Sequence, residues 1–161
     1  MKGDEDDRFT IVIHHVGGIG GYGPVETLSR LRHVKWVIFD AREESLTVAE
    51  SPGAPYIQVR RAIGGTDSDE VQFNITKAPS ASSLLKSAPG ADNYKLILPD
   101  GWARVRDPHT KLRETAPVRL STIDSIVDRG EVPSPDFISI DAQGAELSII
   151  EGASRRFGAK S

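Results

Sequence analysis

Phe9-Thr10-Ile11-Val12-Ile13-His14-His15-Val16 runs without a break into Gly17-Gly18-Ile19-Gly20-Gly21-Tyr22-Gly23-Pro24. The first eight residues are mostly apolar and β-branched, as in a strand buried on both faces of a parallel sheet. The glycines allow a tight turn and let a ligand come close to the backbone. Pro24 suits the first turn of a helix, where its missing N–H is not needed. Val25, Leu28 and Leu31 follow at three-residue spacing and give that helix one apolar face. Strand, glycine loop and helix together form the opening unit of an α/β sheet. The helix start offers free N–H groups to a nucleotide-like ligand.

Working outward, Val34 to Phe39 is a second apolar run, closed by Asp40. Arg42 to Glu50 reads as a short helix stopped by Ser51-Pro52-Gly53, and Tyr56 to Val59 as a third strand leading into Arg60-Arg61-Ala62-Ile63-Gly64-Gly65. This alternation predicts a parallel sheet with right-handed crossovers. In the middle of the chain Val71, Phe73 and Ile75 alternate with polar neighbours, which predicts a half-exposed antiparallel strand. Lys77 to Asn93, rich in Ser, Ala and Pro, reads as a loop. Tyr94 to Leu98 and Ala103 to Arg106 read as short strands separated by Pro99-Asp100-Gly101. Ser121-Thr122-Ile123-Asp124 fits a capping box for a helix with Ile123, Ile126 and Val127 on one face. Asp136 to Asp141 is a strand with an acid at its end. Gly144 to Phe157 reads as one amphipathic helix with Ile149, Ile150, Ala153 and Phe157 inward.

The 161 residues suit one domain, with residues 1–8 an acidic tail and residues 9–161 the folded part. Hydrophobic residues at 38% and charged residues at 27% belong to a globular chain. A net charge of −3 offers no basic face for nucleic acid. No run approaches the roughly 20 apolar residues that cross a bilayer, and the N-terminus has no apolar core of a signal peptide. There are no cysteines, which removes disulfides, thiolate metal sites and thiol nucleophiles. These features point to a cytoplasmic setting.

Two places carry binding chemistry. Gly17, Gly18 and Gly20 form the loop after the first strand, and Asp40 ends the second strand, where a carboxylate can accept hydrogen bonds from both hydroxyls of a ribose. Gly18-Ile19-Gly20-Gly21-Tyr22-Gly23 also matches the G-x-G-x-x-G dinucleotide pattern, so an NAD-dependent oxidoreductase is a rival at this point. A third place is Asp141-Ala142-Gln143-Gly144-Ala145-Glu146, at the end of a strand and the start of a helix. Asp141 would point into the same cleft. Glu146 sits in a first helical turn, where the dipole favours an acid and where it can equally be a plain cap.

Asp136-Phe137-Ile138-Ser139-Ile140-Asp141-Ala142-Gln143-Gly144-Ala145-Glu146-Leu147-Ser148-Ile149-Ile150-Glu151-Gly152-Ala153 closely resembles the signature of FkbM-type methyltransferases. In that family a strand ends in Asp-x-Gln/Glu-Gly-x-Glu and a helix follows that ends near Gly-Ala. Val16 to Tyr22, Phe39-Asp40, Arg61-Ala62-Ile63-Gly64, Ser82-Ser83-Leu84 and Val118 to Ile126 resemble further family segments in the same order, so the resemblance spans about residues 9 to 157. It implies a Rossmann-like class I methyltransferase sheet, mostly parallel, with a short antiparallel insertion. It also implies S-adenosylmethionine as cofactor and O-methylation of a small molecule or sugar hydroxyl. Gly17, Gly18 and Gly20 would hold the methionine part, Asp40 the ribose, and Ala62 and Ile63 would flank the adenine.

Two departures from the family stand out. His15 occupies the place of a common acid two residues before the first loop glycine. An imidazole there can make a hydrogen bond but lacks a carboxylate's attraction for the cofactor's ammonium. The family also continues past the last helix into further C-terminal strands, so the chain reads as a partial domain with one sheet edge bare, prone to self-association. A cofactor-binding fragment without turnover is therefore a second rival. For methyl transfer to a hydroxyl, Asp141 is the leading general base and Glu146 the next. No metal site is expected.

Overall fold

The structure is a computed structural model that describes residues 10–17, 33–41, 56–78, 81–86, 93–98, 101–106 and 111–157. The helices expected over Val25 to Leu31 and Arg42 to Glu50 lie outside the described residues, as do Gly18 and Gly20.

Four strands form a parallel sheet in the order β3-β2-β1-β9. They are β1 (Ile11–Val16), β2 (Val34–Asp40), β3 (Tyr56–Arg60) and β9 (Phe137–Ile140), each within a residue or two of its expected position. β1 and β2 are mostly apolar, broken by His14, His15, Lys35 and Asp40, and both faces carry buried side chains. On one face Val37 and Phe39 of β2 pack with Val12 and Val16 of β1. On the other, Val34, Trp36 and Ile38 pack with Ile13. Among the described residues β9 pairs with β1 alone. Phe137, which opens β9, is 60% exposed.

A second sheet has the order β4-β8-β5, from β4 (Ala62–Ile63), β5 (Ser68–Thr76) and β8 (Leu112–Ser121). β5 and β8 form a long antiparallel ribbon, with Val71 opposite Val118 and Phe73 opposite Ala116. β4 runs parallel to β8 and ties the ribbon to the end of β3. β5 is the alternating strand expected from the sequence. β8 was not expected: Leu112-Arg113-Glu114-Thr115-Ala116-Pro117-Val118-Arg119-Leu120-Ser121 is charged and carries a proline. Its exposed side tolerates the charges, and its pairing with β5 supplies the backbone bonds that its side chains do not advertise. β6 (Asn93–Leu98) and β7 (Gly101–Arg106) make a separate antiparallel pair, one residue longer at the start of β6 and two at the start of β7 than the apolar runs suggest.

One face of the parallel sheet is closed by α1 (Ile123–Asp128) and α2 (Glu146–Glu151). Their Ile123, Ile126 and Ile149 are fully buried in the same cluster as Phe39 and Val37. The cap of α1 differs from the expected box. Thr122, not Ser121, is the N-cap, accepting at Oγ1 from the Ser125 N–H at 3.0 Å. The acid that accepts from the Thr122 N–H is Asp67, from the loop before β5, at 3.1 Å. Asp124 turns inward to Arg155 and Arg156, and it accepts from the Arg155 N–H at 3.0 Å.

The single helix expected over Gly144 to Phe157 is two. Gly152 ends α2, and α3 (Ser154–Phe157) follows. A Cβ on Gly152 would lie 2.1 Å from the Gly64 carbonyl oxygen, so the chain bends where backbone meets backbone. Ile149 and Ala153 face inward as expected, whereas Ile150, before the bend, and Phe157, after it, are about half exposed, at 52% and 50%.

Candidate functional site

The register of the parallel sheet builds the site. Val16 is level with Phe39 on one side and with Ile140 on the other. The next residues, Gly17, Asp40 and Asp141, therefore share one row at the carboxyl ends of three adjacent strands. That is where open α/β sheets bind ligands. The ladder carries on past the strands: the Gly17 N–H donates to the Phe39 carbonyl at 3.0 Å, and the Asp141 N–H to the Val16 carbonyl at 2.8 Å. Gly17 has φ +97°, and a Cβ there would lie 1.9 Å from the Asp141 carbonyl oxygen. Only glycine lets the β1 loop cross the end of β9 so closely.

A cavity opens over this row. Gly17, Asp40, Ala62, Ile63 and Asp141 all line it. Five of the nine residues expected at the site thus share one wall. Gly18 and Gly20 lie outside the described residues. Further lining comes from Phe73 of β5 and from Ser82 and Leu84. Phe73 carried a signal in the sequence, the alternation of Val71, Phe73 and Ile75, but that alternation reports a strand face and not what the face meets.

Ser82 and Leu84 reach the cavity because their segment is fastened at both sides. Asn74 and Ser83 exchange backbone bonds of 2.8 and 3.0 Å. The Thr76 N–H donates to Ser82 Oγ at 3.1 Å, and Ser83 Oγ donates to the Gln143 carbonyl at 2.9 Å. The Ser-Ser-Leu segment thus joins the ribbon to the turn after β9.

That turn is held in an uncommon conformation. Gln143 and Gly144 have φ of +52° and +95°. Glu146 accepts the Gly144 N–H at 3.0 Å, and backbone donors hold its carboxyl below the usual range. Glu146 is not in the cavity lining. Its carboxylate closes the turn that carries Asp141. Gln143 Nε2 donates to Asp141 Oδ1 at 3.2 Å.

Neither histidine of β1 is among the residues that line this cavity. His14 is fully buried and His15 nearly so. His14 lies edge-on to Phe39, with ring centroids 5.2 Å apart, and its Nε2 is 2.9 Å from the Pro133 carbonyl, so Nε2 carries the proton and donates. Burial lowers its pKa to about 4. His15 Nδ1 lies 3.1 Å from Ser139 Oγ on β9. Burial lowers its pKa too, opposed by the charges of Asp141 and Asp40 and by a hydrogen bond with the Gly17 backbone. His15 thus lies close behind the row of acids.

The cavity lining combines a carboxylate at a strand end, which can accept from a pair of hydroxyls, with the apolar side chains of Ala62, Ile63, Phe73 and Leu84. The cavity volume is about 60 Å3, and the glycine loop that would continue its wall lies outside the described residues. A family model described as methyltransferase FkbM domain matches residues 14–160. The chain belongs to the FkbM methyltransferase family. The match runs from His14, within β1, to beyond α3, so the Asp141 turn, the Asp40 strand end and the Ser-Ser-Leu segment all fall within the FkbM domain. No curated protein and no solved structure matches the chain. Among the described residues no helix is long and apolar enough to cross a membrane, and no three His, Asp or Glu side chains group as metal ligands.

Proposed function

We propose that this FkbM domain binds S-adenosylmethionine in the cavity over β1, β2 and β9 and methylates a hydroxyl of a small molecule or sugar. The observation that carries the reading is the shared row of Gly17, Asp40 and Asp141, with the apolar pair Ala62 and Ile63 beside it. The parallel order β3-β2-β1-β9 is compatible with half of a Rossmann-like sheet.

In this reading Asp40 accepts hydrogen bonds from the ribose hydroxyls, and Ala62 and Ile63 pack on the adenine. When bound, the cofactor supplies an electrophilic methyl group on a sulfonium. The protein's task is alignment of the acceptor with that group and removal of one proton. Asp141 is the base, since its carboxyl lies at the cavity end of β9. Gln143 keeps that carboxyl oriented through Oδ1. Glu146 acts through the backbone, holding the Gly144 turn, and is a positioning residue.

Calorimetric titration with S-adenosylhomocysteine tests the reading, beside an Asp40→Ala variant and a titration with NAD. Binding by the parent chain that Asp40→Ala loses is the expected result. A folded chain that binds NAD and ignores S-adenosylhomocysteine would sink it in favour of an oxidoreductase. Binding of S-adenosylhomocysteine with no methyl transfer to any hydroxyl acceptor would leave a cofactor-binding fragment.

A further inference from the structure

A second, larger cavity of about 460 Å3 lies between the end of β3 and the β5–β8 ribbon. It adjoins the cofactor cavity, for Ala41, Arg61 and Phe73 line both. Its size is that of sites for small organic molecules.

Its floor and its rim differ in chemistry. Phe73, Ile75, Ala116 and Val118 contribute apolar surface from the half-buried face of the ribbon. Arg60, Arg61, Lys77, Arg113 and Arg119 contribute cations, against one lining acid, Glu114. Some of this charge is neutralised nearby. Arg61 pairs with Glu131 at 2.9 Å, Arg113 with Glu114 at 3.6 Å and Arg119 with Asp69 at 3.7 Å. Counting Glu131 and Asp69 as well, five cations stand against three acids, a surplus of two positive charges.

The surplus runs against the molecule, whose net charge is −3. A cleft of opposite sign to its protein concentrates field and draws in anions. The two long pairs are exposed, and such pairs are weak enough to exchange partners. Arg60, the last residue of β3, and Lys77, which follows β5, are exposed, and both line the cavity.

We infer that this groove seats the methyl acceptor, and that the acceptor is an organic phosphomonoester with an apolar body. A phosphomonoester carries about −1.5 to −2 charge at neutral pH, which matches the surplus. Its oxygens suit guanidinium forks. The apolar body lies on Phe73, Ile75 and Val118, and the reacting hydroxyl reaches the cofactor cavity past Phe73 and Arg61. The inference rests on the methyltransferase reading above for the word acceptor. The anion site itself does not.

The test is calorimetry with 1-naphthyl phosphate in saturating S-adenosylhomocysteine, beside 1-naphthoate, 1-naphthol, 1-naphthylmethylamine and inorganic phosphate. Naphthyl phosphate binds tightest, at least about tenfold tighter than naphthol or the amine, and the doubly substituted Arg60→Gln/Lys77→Gln variant loses about tenfold. Both positions are exposed, so that variant keeps its fold and its affinity for S-adenosylhomocysteine. Equal affinity for naphthol and naphthyl phosphate, or an unchanged affinity in the variant, overturns the anion site. Naphthoate or inorganic phosphate binding as tightly as naphthyl phosphate overturns the phosphomonoester. Absence of S-adenosylhomocysteine binding in the parent chain, with naphthyl phosphate still bound, breaks the cofactor reading and leaves the anion site standing.

Discussion

The parallel sheet and the β5–β8 ribbon hold the same cavity from two sides, yet they are built on opposite terms. β2 is buried from Val34 to Asp40 with Lys35 alone half-buried, and removal of any of its apolar side chains opens a void on a covered face. The ribbon has one half-buried face, and β8 is exposed at most of its positions from Leu112 to Arg119. The sheet thus fixes positions, and the ribbon lends surface. Stability should be concentrated in the first, while the second adds most of the groove beside the strand ends.

The largest expected effect tests that division directly. Phe39→Ala removes a fully buried ring between β1 and the α1–α2 cluster and costs about 4 kcal/mol. Val71→Ala, on the half-buried face of β5, costs about 1 kcal/mol or less. Urea unfolding measures both, and equal losses would break the comparison.

Gly17→Ala is next, at about 3 kcal/mol, because a Cβ meets the Asp141 carbonyl as well as an unfavourable φ. Gly130→Ala isolates the second cause: its φ is +70° with nothing within 4 Å of the added Cβ, and it costs about 1 kcal/mol. A Gly17 variant as stable as the Gly130 variant would show that β9 does not press on the loop.

Acid should act on the sheet through His14. The unfolded imidazole takes a proton near pH 6.5 and the folded one only near 4. Between those values the unfolded chain holds more protons, so stability falls as pH drops from about 6.5 to about 4, by at most about 3 kcal/mol. His14→Leu should flatten that slope. A slope that survives the substitution assigns the acid sensitivity elsewhere.

Arg119→Ala marks the small end. Its partner Asp69 is fully exposed and 3.7 Å away, so the change in stability is under about 0.5 kcal/mol by thermal unfolding.

The same contrast explains what could be read in advance. β1 and β2 are visible in the sequence because burial on both faces demands an apolar run, and β3 and β9 show as short apolar runs although Phe137 and Ser139 of β9 are exposed. β5 shows through its alternation. β8 does not, since a strand exposed on one face can carry Arg113, Glu114 and Pro117 while its identity comes from its partner. Gly152 looked like an interior helix position, and only the approach of the Gly64 carbonyl makes it a bend. Of the site, Gly17, Asp40 and Asp141 were legible as residues that end strands. Glu146 was legible as an acid of a first helical turn, and its bond to the Gly144 N–H agrees with the capping role its position offered.

By itself the sequence determined the parallel strands, the residues that close them and the family, because each depends on local composition and on order along the chain. The tertiary structure alone decided which closing residues share a row, since that follows from register. It also decided that His15 meets Ser139 of β9, and that the charged strand β8 lines the second cavity. Register and facing are relations between segments far apart in the chain, and no single segment encodes them.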